Sequence, residues 1–400
     1  MKALYFDNSV LKISLLALMS KISKNAAFWP ISPTRFAEVK DPVIPNQRWL
    51  KVRNISCGLC GSDAHFIFMD VDPACFPAAT PGIARKYLGH ELVAEVIETG
   101  TEVDTCAIGD RVVLRIDWPS CFQMEIDPPC PQCGRGNYML CENLGKASMP
   151  IRDTGGGFSP YMVMHKSQPF KVPDGIDNDQ AIFIEPLACA VHGVLKHKPQ
   201  KGDTVLVIGC GTIGLLTIAV VKAYEPRSKV YALGRYPFQE RKAYAMGADK
   251  VFSAGKGLFS DLGQATGAAR WKGFGSNEIL LGGFDVIYDT VGNDASFKQA
   301  LRLAKGTGNV VILGINMKPG KLDYTPIWNQ EIRVTGINCH ATEPTGRNSF
   351  EMAAEMLLKK EIPLDGLITH RFGLEDYRQA IDAFLKKKIS GAIKIVIDHV

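Results

Sequence analysis

A chain of 400 residues is too long for one ordinary core, so two domains are expected. Hydrophobic residues make up 46% and charged residues 22%, the balance of a soluble globular protein, and the formal net charge of +5 is small for this length. Lys and Arg are scattered rather than striped along one element, which argues against a nucleic-acid partner.

In chain order, Lys2 comes first, ahead of the apolar run Ser14-Leu-Leu-Ala-Leu-Met-Ser20, which Lys12 and Lys21 bracket. The run superficially resembles the core of a secretory leader, but no small-x-small cleavage site follows it convincingly. It is also far short of the roughly 20 residues that span a bilayer. The expectation is a cytoplasmic protein with no membrane partner. Eleven cysteines, an odd number with several at metal-type spacing, fit thiolates on metal in a reducing compartment better than a disulfide framework.

The first half is rich in short β-type runs, among them 50–55, 92–97 and 111–116, with Gly109 and Asp110 turning the chain before the last. A β-rich domain with long loops is the expected result. Near residue 186 the character changes. Thr204-Val-Leu-Val-Ile208 is a continuous apolar run, as for a strand buried on both faces. A helical period follows over 213–224. Strand-like runs at 230–233, 249–252, 284–288 and 309–313 then continue a strand–helix alternation that predicts a doubly wound parallel sheet. The glycine-rich stretch 255–283 reads as loops plus one short helix. Helices over 348–359 and 374–387 and a strand over 392–397 close the chain.

The turn Gly209-Cys-Gly211-Thr212-Ile213-Gly214 lies between a predicted strand and a predicted helix. In that context a GxGxxG spacing points to a dinucleotide: Gly209 permits the tight turn, Gly211 lets backbone approach the pyrophosphate, and Gly214 lets helix and strand pack closely. Thr212, Ile213, Val291 and Leu313 are further candidate cofactor contacts. The second strand ends in Gly234-Arg235, where an NAD site carries an acid for the ribose hydroxyls. Without that carboxylate, and with a guanidinium beside it, NADP is favoured over NAD.

Two clusters of metal-type residues precede this turn. Cys60-Gly-Ser62-Asp63-Ala-His65, Gly89-His90-Glu91 and Glu185-Pro186 together supply a thiolate, an imidazole and carboxylates, enough for a catalytic zinc with three protein ligands and an open position. Cys130-Pro-Gln-Cys133 followed by Cys141 resembles part of a closed structural zinc site. For its fourth ligand, Asp127 keeps the regular spacing and is preferred; Cys121, the better thiolate, lies further off.

These motifs, with Met1-Lys-Ala-Leu4, Gly109-Asp-Arg-Val112 and Glu185-Pro-Leu187, resemble the zinc-containing medium-chain alcohol dehydrogenase superfamily over nearly the whole chain. The resemblance implies an α/β protein: a GroES-like β-rich catalytic domain over 1–186 with a C-terminal return over 337–400, and a Rossmann NAD(P)-binding domain over 187–336. It implies that Cys60, His90 and Glu185 hold the catalytic zinc and that Glu91 can exchange with water or substrate. Asp63 would orient His90, Ser62 would take the substrate's hydroxyl proton, and His65 would relay it. Glu185-Pro-Leu187 is similar to the polyol, threonine and sugar dehydrogenase branches, and Thr154-Gly-Gly-Gly-Phe-Ser159 to a glucose dehydrogenase branch that often takes NADP. The expected partner is a small alcohol, polyol or sugar, in a pocket shaped by loops near Phe66, Trp118 and Cys339-His340, within a homo-oligomer (tetramer or dimer). Two rival readings are a zinc-free reductase of the same fold, which would lack the Cys60, His90 and Glu185 set, and a non-catalytic nucleotide-binding scaffold. Three departures from the family pattern stand out: extra residues from Asn8 to Ser32, a lengthened stretch from Ile116 to Ile126, and Asp127 where the first loop cysteine is expected.

Overall fold

A computed structural model describes residues 1–20, 22–69, 85–116, 118–275, 277–318 and 320–399. They divide into two compact units: Met1–Glu185 with Gly366–Val400, and Pro186–Asp365.

The first unit is built on antiparallel strands. Trp49–Gly58 is its central strand, with Leu50 and Val52 fully buried, and it pairs with Glu91–Thr99, Tyr161–His165 and Lys394–Asp398. The last pairing joins the end of the chain to its beginning: Ile397 sits opposite Cys57. Ile368–Gly373 then adds to Lys394–Asp398 in parallel. Lys2–Asp7 lies between Thr34–Glu38 and Arg85–Tyr87 in a separate three-stranded sheet. The apolar run near the N-terminus forms the helix Val10–Met19, whose Ile13 and Leu16 belong to the same core cluster as Phe6, Phe66 and Ile67.

The second unit holds a six-stranded parallel sheet. Its order is Lys250–Ser253, Lys229–Gly234, Thr204–Ile208, Phe284–Asp289, Ala304–Ile312 and Arg333–Gly336. This is the order 3-2-1-4-5-6 of a dinucleotide-binding fold, and it reverses direction beside Thr204–Ile208. The helix Thr212–Tyr224 follows that strand, buried continuously from Gly214 to Val221.

Two features differ from the sequence expectation. Residues 337–365 pack with the second unit, where the buried pair His192 Nδ1 and Glu343 Oε1, 2.6 Å apart, ties the helix Ile184–Lys196 to the segment after the last strand. The glycine-rich stretch 255–283 contains an antiparallel hairpin, Ala269–Lys272 with Glu278–Leu281, besides the helix Leu258–Thr266. Arg270 and Glu278 pair across it, and its outer strand is exposed throughout. Leu280 is the one fully buried residue of the two strands, too little for an alternation to be read.

Candidate active site

The dinucleotide turn is shaped by contact. Gly209 has φ 97°, and a Cβ there would come within 2.6 Å of Val291 Cγ2. A Cβ on Gly214 would fall 1.8 Å from the Gly209 carbonyl oxygen, so only glycine lets helix and strand close. Gly211, the N-cap residue of Thr212–Tyr224, faces open space, and with Thr212 and Ile213 it leaves the helix N-terminus accessible to an anion. Thr290 Oγ1 donates to the Ile208 carbonyl at 2.8 Å. Asp289, fully buried, accepts from the amides of Val291 and Gly292 and from Ser296 Oγ. Leu313 donates its amide to the Asp289 carbonyl at 2.9 Å, so Val291 and Leu313 leave neighbouring strand ends. Gly234 ends the next strand, where a Cβ would meet Val251 and Cys210 at ordinary contact distance, and the exposed Arg235 stacks its guanidinium 5.5 Å from the Tyr236 ring centroid. These features form a cradle that fits a dinucleotide.

In the first unit, Cys60 caps the helix Gly61–Phe68 and Asp63 closes the turn: Cys60 N donates to Asp63 Oδ2 at 3.0 Å. The other oxygen of Asp63 accepts from Gly89 N at 3.1 Å and lies 3.7 Å from His90 Nδ1. One buried carboxylate therefore sets both arms of the cluster. Ser62 and His65 are half-buried and three residues apart, hence on one face of that helix. The approach to His90 is pressed into place by glycines: Gly89 has φ 82°, and a Cβ on Gly157 would fall 2.3 Å from Cys57 Sγ. Gly157 N donates to the Gly89 carbonyl at 2.8 Å, which gives the triple-glycine run a packing role beside the site.

The donor atoms of Cys60, His90 and Glu91 gather within 4.8 Å of one another. Glu185, at the start of the helix Ile184–Lys196, is not part of that group, although its charge reaches Lys394. Lys394 is the residue sequence reasoning missed. It is 1% exposed, and its ammonium donates to Glu91 Oε2, for which Gly58 leaves room. Burial lowers the Lys394 pKa, but the charges of Glu91 and Cys60 outweigh it and hold the pKa above the ordinary lysine value. Nothing marks it in sequence, because it arrives on the last strand, 303 residues after its partner.

The second cluster corrects the expected fourth donor. Cys121, Cys130, Cys133 and Cys141 gather within 4.8 Å, whereas Asp127 is exposed and outside the group. Met124 N donates to Ser120 O and Ile126 N to Cys121 O, so the chain coils over 120–126 and returns Cys121 to Cys130. That turn absorbs the additional spacing that counted against Cys121. Amides of Cys130 and Asn143's side chain donate to Cys121 Sγ, and amides of Cys133 and Glu142 donate to Cys130 Sγ. Burial raises the Cys130 thiol, but these two amides together with the Cys133 and Cys121 thiols outweigh it and bring the pKa to about 6. Four sulfurs with N–H groups aimed at them suit a closed tetrahedral zinc, and a cysteine, an imidazole and a carboxylate suit an open one. None of the ten described cysteines is in a disulfide.

Two family profiles match the chain, one for an alcohol dehydrogenase GroES-like domain over residues 46–174 and one for a zinc-binding dehydrogenase over 212–360. The chain belongs to the zinc-containing medium-chain alcohol dehydrogenase superfamily. It is a zinc-type alcohol/polyol dehydrogenase with a nicotinamide cofactor. This dehydrogenase is 29% identical to (R,R)-butanediol dehydrogenase of Bacillus subtilis over 356 residues, 87% of this chain and 92% of the relative. The crystal structure of 2R,3R-butanediol dehydrogenase from Bacillus subtilis is similar with a TM-score of 0.73 and 25% identity, covering 100% of this chain and 99% of that one. An NADP-bound structure of a candidate zinc-binding dehydrogenase from Sinorhizobium meliloti 1021 has a TM-score of 0.67 and 28% identity, covering 92% and 95%. Among the described residues no helix of this dehydrogenase is long and apolar enough to cross a membrane.

Proposed function

We propose that this dehydrogenase oxidises a secondary hydroxyl of a small alcohol, polyol or sugar and passes the hydride to NADP in preference to NAD. The observation that carries the reading is the convergence of Cys60, His90 and Glu91 around the carboxylate of Asp63. The butanediol dehydrogenase relative supports an alcohol or polyol substrate. In this reading Cys60, His90 and Glu185 hold the catalytic zinc, and Glu91, tethered by Lys394, stands by as an exchangeable donor. Zinc, when bound, supplies the Lewis acidity that lets a substrate hydroxyl lose its proton near neutral pH. Ser62 accepts that proton and His65, on the same helical face, carries it toward solvent. Asp63 keeps the Cys60 turn and the Gly89-His90 approach in register. The first unit then does the chemistry and the second binds the dinucleotide. Ten thiols without a disulfide agree with a cytoplasmic setting.

The test is zinc content together with turnover on a panel of alcohols, polyols and sugars with each cofactor. We expect two zinc ions per chain and turnover of at least one secondary alcohol. A metal-free protein with full reductase activity would overturn the reading.

Cofactor choice follows from Gly234 and Arg235. A Cβ on Gly234 meets only ordinary contacts, so aspartate can be accommodated there. Gly234→Asp should shift the ratio of kcat/KM for NADP over NAD by about 10- to 100-fold toward NAD, because a carboxylate repels a 2′-phosphate and pairs with ribose hydroxyls. An unchanged ratio would remove the role given to this strand end. For the closed site, we infer that Cys121 and not Asp127 completes the zinc ligands. Cys121→Ser should therefore cost one zinc per chain and Asp127→Asn none; the reverse result in elemental analysis would restore the aspartate.

A further inference from the structure

The first unit holds a cavity apart from the metal-type clusters. Arg85 and Tyr87 of the strand Arg85–Tyr87, Gln123 of the coil over 120–126 and Thr154 beside the triple-glycine run line it, and none of Cys60, His90, Glu91 and Glu185 does. Gln123 is 2% exposed, yet only one end of its carboxamide is used: its oxygen accepts from Ser120 N at 2.8 Å. A backbone N–H needs an oxygen there, so this bond fixes the orientation of the amide. The Gln123 nitrogen is left without a partner among the described residues. Arg85 repeats the pattern. One of its guanidinium nitrogens donates to Asp153 Oδ1 at 2.9 Å, while Nε is buried with no acceptor. Orphaned donors are uncommon, since each forgoes the hydrogen bonds it would make in water. The neighbouring polar groups are engaged: the Tyr87 hydroxyl donates to Asp153 at 3.0 Å, the Thr154 hydroxyl to the Gly155 carbonyl at 2.9 Å, and the Gln168 oxygen accepts from His165 N at 2.7 Å. Among the described residues the charged side chains that line the cavity are Arg85 and Lys86, and no carboxylate does.

We propose that this cavity is a binding site for a small carboxylate, held by the Gln123 carboxamide nitrogen and the Arg85 guanidinium. Its wall has donors without acceptors and cations without a lining carboxylate, so the complement is an anion that brings acceptor oxygens. A water fits less well, because it would accept from two donors only by finding acceptors for its own two hydrogens. An ionised carboxylate has two oxygens and no hydrogen to place. The space would take about three waters, or one ligand of about four heavy atoms, which is the size of acetate. Met149, Met162 and Val163 supply an apolar wall for its carbon body. Gln123 lies in the stretch from Ile116 to Ile126 that is lengthened in this chain, so the residues that return Cys121 to its cluster also supply the buried donor. Gly89 lines the cavity as well, so an occupant abuts the backbone that carries His90 without touching the gathered donors.

The experiment is isothermal titration calorimetry of the zinc-loaded enzyme in carboxylate-free buffer, with acetate and with acetamide, its neutral counterpart of equal size. Acetate is expected to bind with a dissociation constant on the order of 1 mM, within the ceiling for a ligand of about four heavy atoms, and acetamide at least about 10-fold more weakly. Gln123→Glu keeps an oxygen for Ser120 N but replaces the free donor with a negative charge, and should weaken acetate by about 10-fold or more. A crystal structure of the wild-type enzyme with acetate at about tenfold its dissociation constant locates the anion, which is expected between Gln123 and Arg85. Acetate bound no more tightly than acetamide, an affinity undiminished in Gln123→Glu, or a cavity holding water with acetate on the catalytic metal alone would each overturn the proposal. If Gln123→Glu does not fold, the wild-type crystal structure decides.

Discussion

Replacing Cys60 by alanine is expected to lower kcat/KM for alcohol oxidation by about 10³-fold or more, equivalent to about 4 kcal/mol of transition-state stabilisation. The proposed role of Cys60 is twofold: its thiolate is one of three gathered donors, and its backbone amide is held by Asp63. Alanine keeps the second role and deletes the first. The helix Gly61–Phe68 should therefore persist while one zinc per chain is lost. The dinucleotide cradle is built from other residues in the second unit, so the dissociation constant for NADP should change by less than about twofold, within the scatter for independent sites. Three readouts test this: zinc by elemental analysis, cofactor affinity by fluorescence titration, and steady-state kinetics. Turnover that survives the substitution would show that the chemistry does not depend on this donor.

Lys394→Met is expected to destabilise the protein by about 3 kcal/mol, seen as a lower urea midpoint with an unchanged slope. Lys394 and Glu91 are each about 2% exposed, and Cys60 and Glu185 add negative potential around the ammonium. Removing the ammonium leaves a buried carboxylate without its counter-charge, which is the expensive way to break such a pair. Removing both charges is far less so, and Lys394→Met/Glu91→Met should recover most of the loss. The difference between the double variant and the sum of the singles isolates the pair. If Lys394→Met unfolds at the wild-type midpoint, the lysine does not neutralise the site.

Much of this enzyme is legible in order along the chain. The buried strand Thr204–Ile208, the spacing of Gly209, Gly211 and Gly214, and the helix after them are local, since each depends on a few residues and their own backbone geometry. The same holds for Cys60 through His65, where one helical turn sets Ser62 and His65 on a common face. The medium-chain dehydrogenase pattern follows from such local signals in their sequence order.

Distance in sequence marks where that reading stopped. Spacing along the chain favours Asp127, but a coil over 120–126, held by the Cys121 carbonyl, takes up the extra residues and returns a cysteine to the cluster. Lys394 reaches Glu91 because the final strand pairs with Trp49–Gly58, and no local pattern announces a contact 303 residues long. The hairpin after residue 268 has an outer strand exposed throughout and buries only Leu280 fully, and hence shows no period. Donor types and the glycine turn were thus determined by the sequence alone, through local backbone chemistry. Which thiol completes the cysteine cluster was decided by the coil over 120–126, and which cation balances Glu91 by long-range strand pairing, because burial and charge act through space and not along the chain.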